Sequence, residues 1–286
     1  MDPSYEELFT RNIGLVDENE QALLRTARIA VLGVGGMGGV VAQLLARAGV
    51  GELRILDKDT FEPANNNRQC YARTDTWGRA KVEVTAEELV KINPAIVVRT
   101  ADHWGEDVVA DMLDGCHVVV NGMDELEACL RLWRACRARR IPVVDAYGAP
   151  LPNVYVIRRG DPLPEEVLGW PTLGVAPEDS HIHADECKLR EALHVLLHTR
   201  SLRYLDMEII QEVLDGRRKR ISFAPMVWGA GLLMGWEALK LRIGRGSIAP
   251  VHGRFLDPWT GTMKDARGFL PGERELIRKA WSAFGT

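Results

Sequence analysis

Short apolar runs alternate with amphipathic stretches along most of this chain. Runs at 29–32, 53–56, 96–99, 117–122 and 141–145 are rich in Val, Ile and Leu and are bounded by Gly, Asp or Asn. That is the pattern of strands buried on both faces. Between them, 40–48, 85–90 (ending near Asn93-Pro94), 107–113 and 126–140 carry apolar residues at helical spacing. The alternation predicts an α/β fold with a doubly wound, mainly parallel Rossmann-like sheet. A strand at 153–157 follows without a helix in between and predicts an antiparallel extension.

The flanking regions are less regular. Residues 5–25 have a broken amphipathic pattern that predicts one or two short helices. Residues 161–188 contain Pro162, Pro164, Gly169, Pro171, Gly174 and Pro177, which forbid long regular elements and predict a mobile loop crossing the functional face. Helices are expected at 189–198 and 206–214, then an apolar helix at 227–243 rich in Trp, Leu and Met. With no polar face, that helix should pack against the sheet or a partner subunit. An edge strand at 254–256, a turn at Asp257-Pro258 and a helix at 271–284 complete the chain.

Composition narrows the function classes. The 286 residues carry a net charge of −4 with ordinary apolar and aromatic fractions, giving no reason to expect DNA or a membrane surface as partner. No apolar run approaches a membrane span. The acidic start Met1-Asp2-Pro3-Ser4-Tyr5-Glu6-Glu7 does not read as a secretory signal. Cysteines 70, 116, 129, 136 and 187 form no C-x-x-C pair, which predicts reduced thiols in a cytoplasm and no structural zinc.

The chemistry begins at Gly33-Val34-Gly35-Gly36-Met37-Gly38, a G-x-G-x-x-G after the first strand. The glycines permit a tight turn and bring backbone N–H groups and a helix N-terminus to a phosphate. Asp57 ends the next strand, where it can accept from ribose hydroxyls. A polar loop follows, with Asp59, Asn65, Arg68 and Gln69, and then Lys81 at the start of a helix. Asp124 follows the fourth strand and points into the same crevice at the carboxyl ends of the strands. Other readings stay open: Asn65 as a turn residue, Arg68 as a surface ion pair, Lys81 as solvated, and Asp124 as a helix N-cap.

Asn65-x-x-Arg68-Gln69, Lys81 and Asp124, placed after the glycine loop, resemble the ThiF/MoeB/HesA family, bacterial relatives of ubiquitin-activating enzymes. The resemblance covers roughly 8–160 and again 222–241. It implies a ubiquitin-activating-enzyme-like fold and one adenylation domain over 1–286. This would comprise a helical arm (1–27), a nucleotide core (28–160), a crossover loop (161–188) and C-terminal helices and edge strands (189–286). It further implies ATP-dependent formation of an acyl adenylate with release of pyrophosphate. Gly33, Gly35, Gly36, Gly38, Asp57, Asp59, Asn65, Arg68, Gln69 and Lys81 would hold the nucleotide, and Asp124 would help hold Mg²⁺. Arg11 resembles the family arginine that reaches into a neighbouring subunit, which implies a homodimer. Cys187 lies in the region from which relatives present a nucleophilic cysteine, and with His181 and His183 it is also a candidate metal ligand. The implied substrate is the carboxylate of a small ubiquitin-like carrier protein, of a ribosomal peptide or of a tRNA nucleoside. A nicotinamide-dependent oxidoreductase shares the glycine loop and acid. A non-catalytic module that meets partners through Trp228 and Trp236 shares the fold.

Overall fold

The computed structural model describes residues 3–214, 216–270 and 272–273. Helices α1 (Tyr5–Phe9) and α2 (Glu18–Arg25) form the N-terminal arm. The core follows as β1 (Arg28–Leu32), α3 (Gly36–Arg47), β2 (Glu52–Leu56), α4 (Lys81–Ile92), β3 (Val97–Ala101), α5 (Glu106–Leu113), β4 (Val118–Asn121), α6 (Leu126–Arg139) and β5 (Val143–Asp145). Then come β6 (Asn153–Ile157), α7 (Pro164–Val167), α8 (Ala184–Thr199), α9 (Met207–Leu214), α10 (Ala224–Ile243), β7 (Arg254–Asp257) and β8 (Thr262–Asp265). The sheet runs β3-β2-β1-β4-β5-β6-β7-β8. Its first five strands are parallel and the rest antiparallel.

Strand alternation sorts the core into two layers. Ile29, Val31, Leu53, Ile55, Val118 and Val120 face α3, α4 and α10, whereas Ala30, Leu32, Val119 and Val143 face α5, α6 and α8. The chain leaves β1 in one direction to β2 and returns on the other side to β4. This switch point opens a crevice at the carboxyl ends of β1 and β4, where α/β sheets bind ligands.

Two expectations need correction. Residues 161–188 are not a plain irregular loop: they contain α7, a 3-10 turn at Pro177–His183 and the start of α8. Prolines open the first two of these, where a missing N–H costs nothing. Helix α8 begins at Ala184 with Asp185 and Glu186 in its first turn, favourable to the helix dipole, and so absorbs Cys187. The edge strand after α10 is one arm of a hairpin, β7–β8, whose second arm lacks an apolar pattern and is wholly exposed. The helix expected at 271–284 lies almost wholly outside the described residues. No helix among the described residues is long and apolar enough to cross a membrane.

Candidate active site

Three backbone segments meet at the switch point. Gly33 has φ +86°, and its N–H donates to the Leu56 carbonyl at 2.7 Å. A Cβ there would sit 2.5 Å from the Gly122 carbonyl carbon, while one at Gly38 or Gly122 would overlap the Gly33 carbonyl oxygen. The glycine loop, the first turn of α3 and the end of β4 therefore pack backbone against backbone. Sequence reading took Gly122 only as a strand end; its signal was a glycine closing a buried strand beside the loop. Gly122→Ala should cost about 1–3 kcal/mol, because a backbone clash has no rotamer to relieve it. An unchanged urea midpoint with undiminished ATP binding would contradict this.

Asp57 closes β2 and is buried. Val34 N–H donates to its Oδ2 at 2.9 Å and Asp59 N–H to its Oδ1 at 3.1 Å. Burial raises its pKa, opposed by the Lys81 charge. Lys81 begins α4, also buried, with Nζ 2.7 Å from Asp59 Oδ2 and 3.6 Å from Asp57 Oδ1. It is not solvated, and these two carboxylates offset the unfavourable placement of a cation at a helix N-terminus.

The polar loop folds over the start of α3. Asn65 fills the turn role, its Oδ1 accepting from Glu62 N–H at 3.1 Å. Arg68 has no carboxylate partner among the described residues: its guanidinium donates to Ala64 O and Asn67 Oδ1, and its own carbonyl accepts from Trp228 Nε1 at 2.8 Å. Its chain passes 3.7 Å from the point a Gly36 Cβ would occupy. Gln69 is buried against Gly35 with its Oε1 unpaired, an acceptor left for a ligand hydroxyl or amine. Opposite, Lys58 Nζ meets Glu125 Oε2 at 2.6 Å, tying the loop after β2 to the loop after β4. Asp124 sits in that second loop, exposed, with Glu125 rather than Asp124 as the N-cap of α6. Glycines, Asp57, Asp59, Asn65, Arg68, Gln69, Lys81 and Asp124 are thus gathered at one end of the sheet.

Two candidates are not. Arg11 lies in the turn Thr10–Asn12; the neighbouring Asn12 Nδ2 donates to Ala48 O, at the far end of α3. A twelve-residue helix separates that end from the glycine loop by about 18 Å, so Arg11 does not serve the site of its own chain. Cys187 is 2% exposed and packs in the core. Burial pushes its thiol up to about 12, the reverse of what a nucleophile needs. His181, by contrast, is exposed, and among the described residues no three His, Cys, Asp or Glu are grouped to hold a metal.

A second network lies under the site. Asp145 ends β5, buried, and its Oδ2 accepts from Asn121 Nδ2 and Trp133 Nε1, both at 2.8 Å, while its Oδ1 accepts from Ala146 N–H at 2.7 Å. Asn121 Oδ1 in turn accepts from Met123 N–H, next to Asp124. The signal was available in the sequence, since Asp145 ends a buried strand as Asp57 does.

Known proteins match this chain over different extents. The tRNA threonylcarbamoyladenosine dehydratase of Escherichia coli is 34% identical over 148 residues, 51% of this chain and 55% of the relative. The molybdopterin-synthase adenylyltransferase of Salmonella typhimurium is 30% identical over 150 residues, 51% of this chain and 60% of the relative. The chain therefore aligns with little more than half the length of these relatives. The crystal structure of E. coli MccB with ATP superposes with a TM-score of 0.63 at 20% identity, covering 88% of this chain and 67% of that one, a likeness of fold. The sequence model of the ThiF family matches residues 9–268, nearly the whole of the chain whose glycine loop, lysine and acids converge at the switch point: the protein belongs to the ThiF family.

Proposed function

We propose that this protein is an ATP-dependent adenylyltransferase. A carboxylate oxygen of the substrate attacks the α-phosphorus of ATP, the bond from that phosphorus to the β-bridging oxygen breaks, and pyrophosphate leaves. The observation that carries the reading is the convergence of Arg68, Lys81 and Asp124 on the glycine loop. Fixed cations beside a phosphate-binding backbone stabilise charge that develops on the phosphoryl oxygens and the leaving group. Hydride transfer has no use for them.

Backbone N–H groups at the start of α3 take the phosphates, Asp57 takes the ribose, and the unpaired Gln69 Oε1 takes a donor of the nucleotide. Arg68, held by Ala64 O and Asn67 Oδ1 and without a carboxylate among the described residues, keeps its charge for a phosphate. Asp124 would hold Mg²⁺, since that ion is commonly bound by one or two carboxylates together with substrate phosphates; bound there, it would neutralise phosphate charge. The substrate is the C-terminal carboxylate of a small ubiquitin-like carrier protein or of a ribosomal peptide, and the reaction belongs in the cytoplasm, where ATP is found. Calorimetric titration with ATP plus Mg²⁺, and separately with NADH, tests the assignment. ATP binding that is lost in Asp57→Ala, with no NADH binding, is expected; the converse would make the protein an oxidoreductase. A peptide ending in Gly-Gly, a precursor peptide and modified tRNA, each tried in ATP–pyrophosphate exchange, separate the substrate classes.

We further propose a homodimer. Trp228, Leu232 and Trp236 follow one another at i, i+4, i+8 on α10 and are each 45–48% exposed, while its other face packs through Gly231 and Gly235 on α3. A stripe of this kind on a solvent-facing helix marks an interface. The remoteness of Arg11 from its own glycine loop supports a role across that interface. Light scattering should return twice the 31.9 kDa chain mass, falling to one chain in Leu232→Glu/Trp236→Glu. Mixing inactive Arg11→Ala and Lys81→Ala proteins should restore part of the activity. Full activity in Arg11→Ala alone would refute the shared site.

A further inference from the structure

The opposite end of the sheet carries a second concave site. Val143, the first residue of β5, pairs with Ile157, the last of β6, and a cavity of about 350 Å³ opens beside them. It lies away from the Asp145 end of β5, and so away from the glycine loop. Such a volume is at the lower end of the range for small-molecule pockets.

Its chemistry is cationic over an apolar floor. Arg137 and Arg140 reach it from the end of α6, and Arg158 and Arg159 from the end of β6. Asp161 and Glu166 are its carboxylates, so the lining carries a formal +2 within a chain of net −4. Both carboxylates are committed. Asp161 Oδ2 accepts from Arg158 N–H at 2.9 Å and from its guanidinium at 3.3 Å, while Glu166 pairs with Arg137 and accepts from Leu163 N–H. Arg158 is further anchored on the Ala249 carbonyl at 2.6 Å and the Ser247 carbonyl at 3.0 Å. Arg140 and Arg159 have no carboxylate among the described residues, so their charges face the cavity uncompensated.

Arg140 also holds a left-handed backbone, φ +60°, after the last residue of α6. Glycine is the default there, yet the position carries a cation. Trp133 supplies part of the floor with Ile141, Val143 and Ile157. Its indole N–H is spent on Asp145, leaving only ring surface for a ligand.

We propose that this cavity is a second ligand site, for a phosphate-bearing molecule of mononucleotide size. The phosphate sits between Arg140 and Arg159, and the apolar or planar body lies on the Trp133 side. The site is independent of the adenylation reading. Titration of the full chain with AMP should show one equivalent more per chain for the wild type than for Arg140→Gly/Arg159→Ala. Glycine suits the backbone of position 140, and both side chains are exposed, so unchanged melting curves separate lost binding from lost folding. That equivalent should weaken with ionic strength and bind inorganic phosphate at least about tenfold less tightly than AMP, the ~1.4 kcal/mol of an apolar contact. Equal AMP stoichiometry in the two proteins overturns the site, and equal affinity for phosphate and AMP overturns the nucleotide-sized ligand. Should AMP not bind at the glycine loop, the wild type would take up one equivalent and the variant none, which upholds the second site whatever the fate of the adenylation reading.

Discussion

Lys81→Ala is expected to reduce ATP–pyrophosphate exchange by about 10³-fold or more, the scale of removing a fixed cation from a phosphoryl-transfer site. Two consequences of its placement sharpen the expectation. Lys81 is the cation nearest Asp57 and Asp59, at 3.6 and 2.7 Å, so its loss leaves two neighbouring carboxylates uncompensated. The pKa of Asp57, already raised by burial, then rises further. ATP affinity should fall as well, since two like charges remain where a triphosphate must approach. Lys81→Arg keeps the charge and should retain measurable exchange, whereas a purely structural lysine would tolerate both changes alike. Exchange retained in Lys81→Ala with any carboxylate the wild type accepts would sink the adenylating assignment.

Asp145→Ala should destabilise the fold by about 2–5 kcal/mol, the cost of leaving two buried neutral donors without an acceptor at about 1–3 kcal/mol each. The substitution strands Asn121 Nδ2 and Trp133 Nε1 in the core. It also frees the loop that carries Asp124, so exchange activity should fall along with the urea midpoint. The pH dependence has a definite sign. Burial pushes the Asp145 carboxyl from 3.8 up to about 7, against hydrogen bonds from Asn121, Tyr155, Trp133 and Ala146. Between those values the folded protein holds a proton that the unfolded chain has released. Stability from this group is therefore greatest at low pH and is lost as pH rises through the window, by at most about 1.4 kcal/mol per unit. The difference in stability between wild type and Asp145→Asn, followed by melting across that range, isolates the contribution. A difference that is flat with pH would contradict it.

Much of this molecule is legible in its sequence. The runs that became β1, β4 and β5 are continuous and apolar because both their faces are covered, and the stretches between them have helical period because one face is. The glycine loop and Asp57 could be read because their chemistry is local: a tight turn, free N–H groups and an acid at a strand end. Other features gave weaker signals. The segment 161–188 is dense in proline, yet proline opens helices as readily as it breaks them, and Cys187 lies not in a loop but on the buried face of a helix, in its first turns. Strand β8 has no apolar period, since neither of its faces is covered.

The sequence by itself determined the alternation of strands and helices and the phosphate-binding turn, because each rests on neighbours within a few residues, and the family, because its motif pieces follow one another in a fixed order along the chain. Tertiary structure alone decided who meets whom. It put Asp59 against Lys81, packed Gly122 on Gly33, removed Arg11 to the far end of α3, and brought four arginines from two elements around one cavity. These pairings join residues far apart in the chain, and the distance between two side chains in a packed core is set by every layer between them rather than by either residue's own propensity.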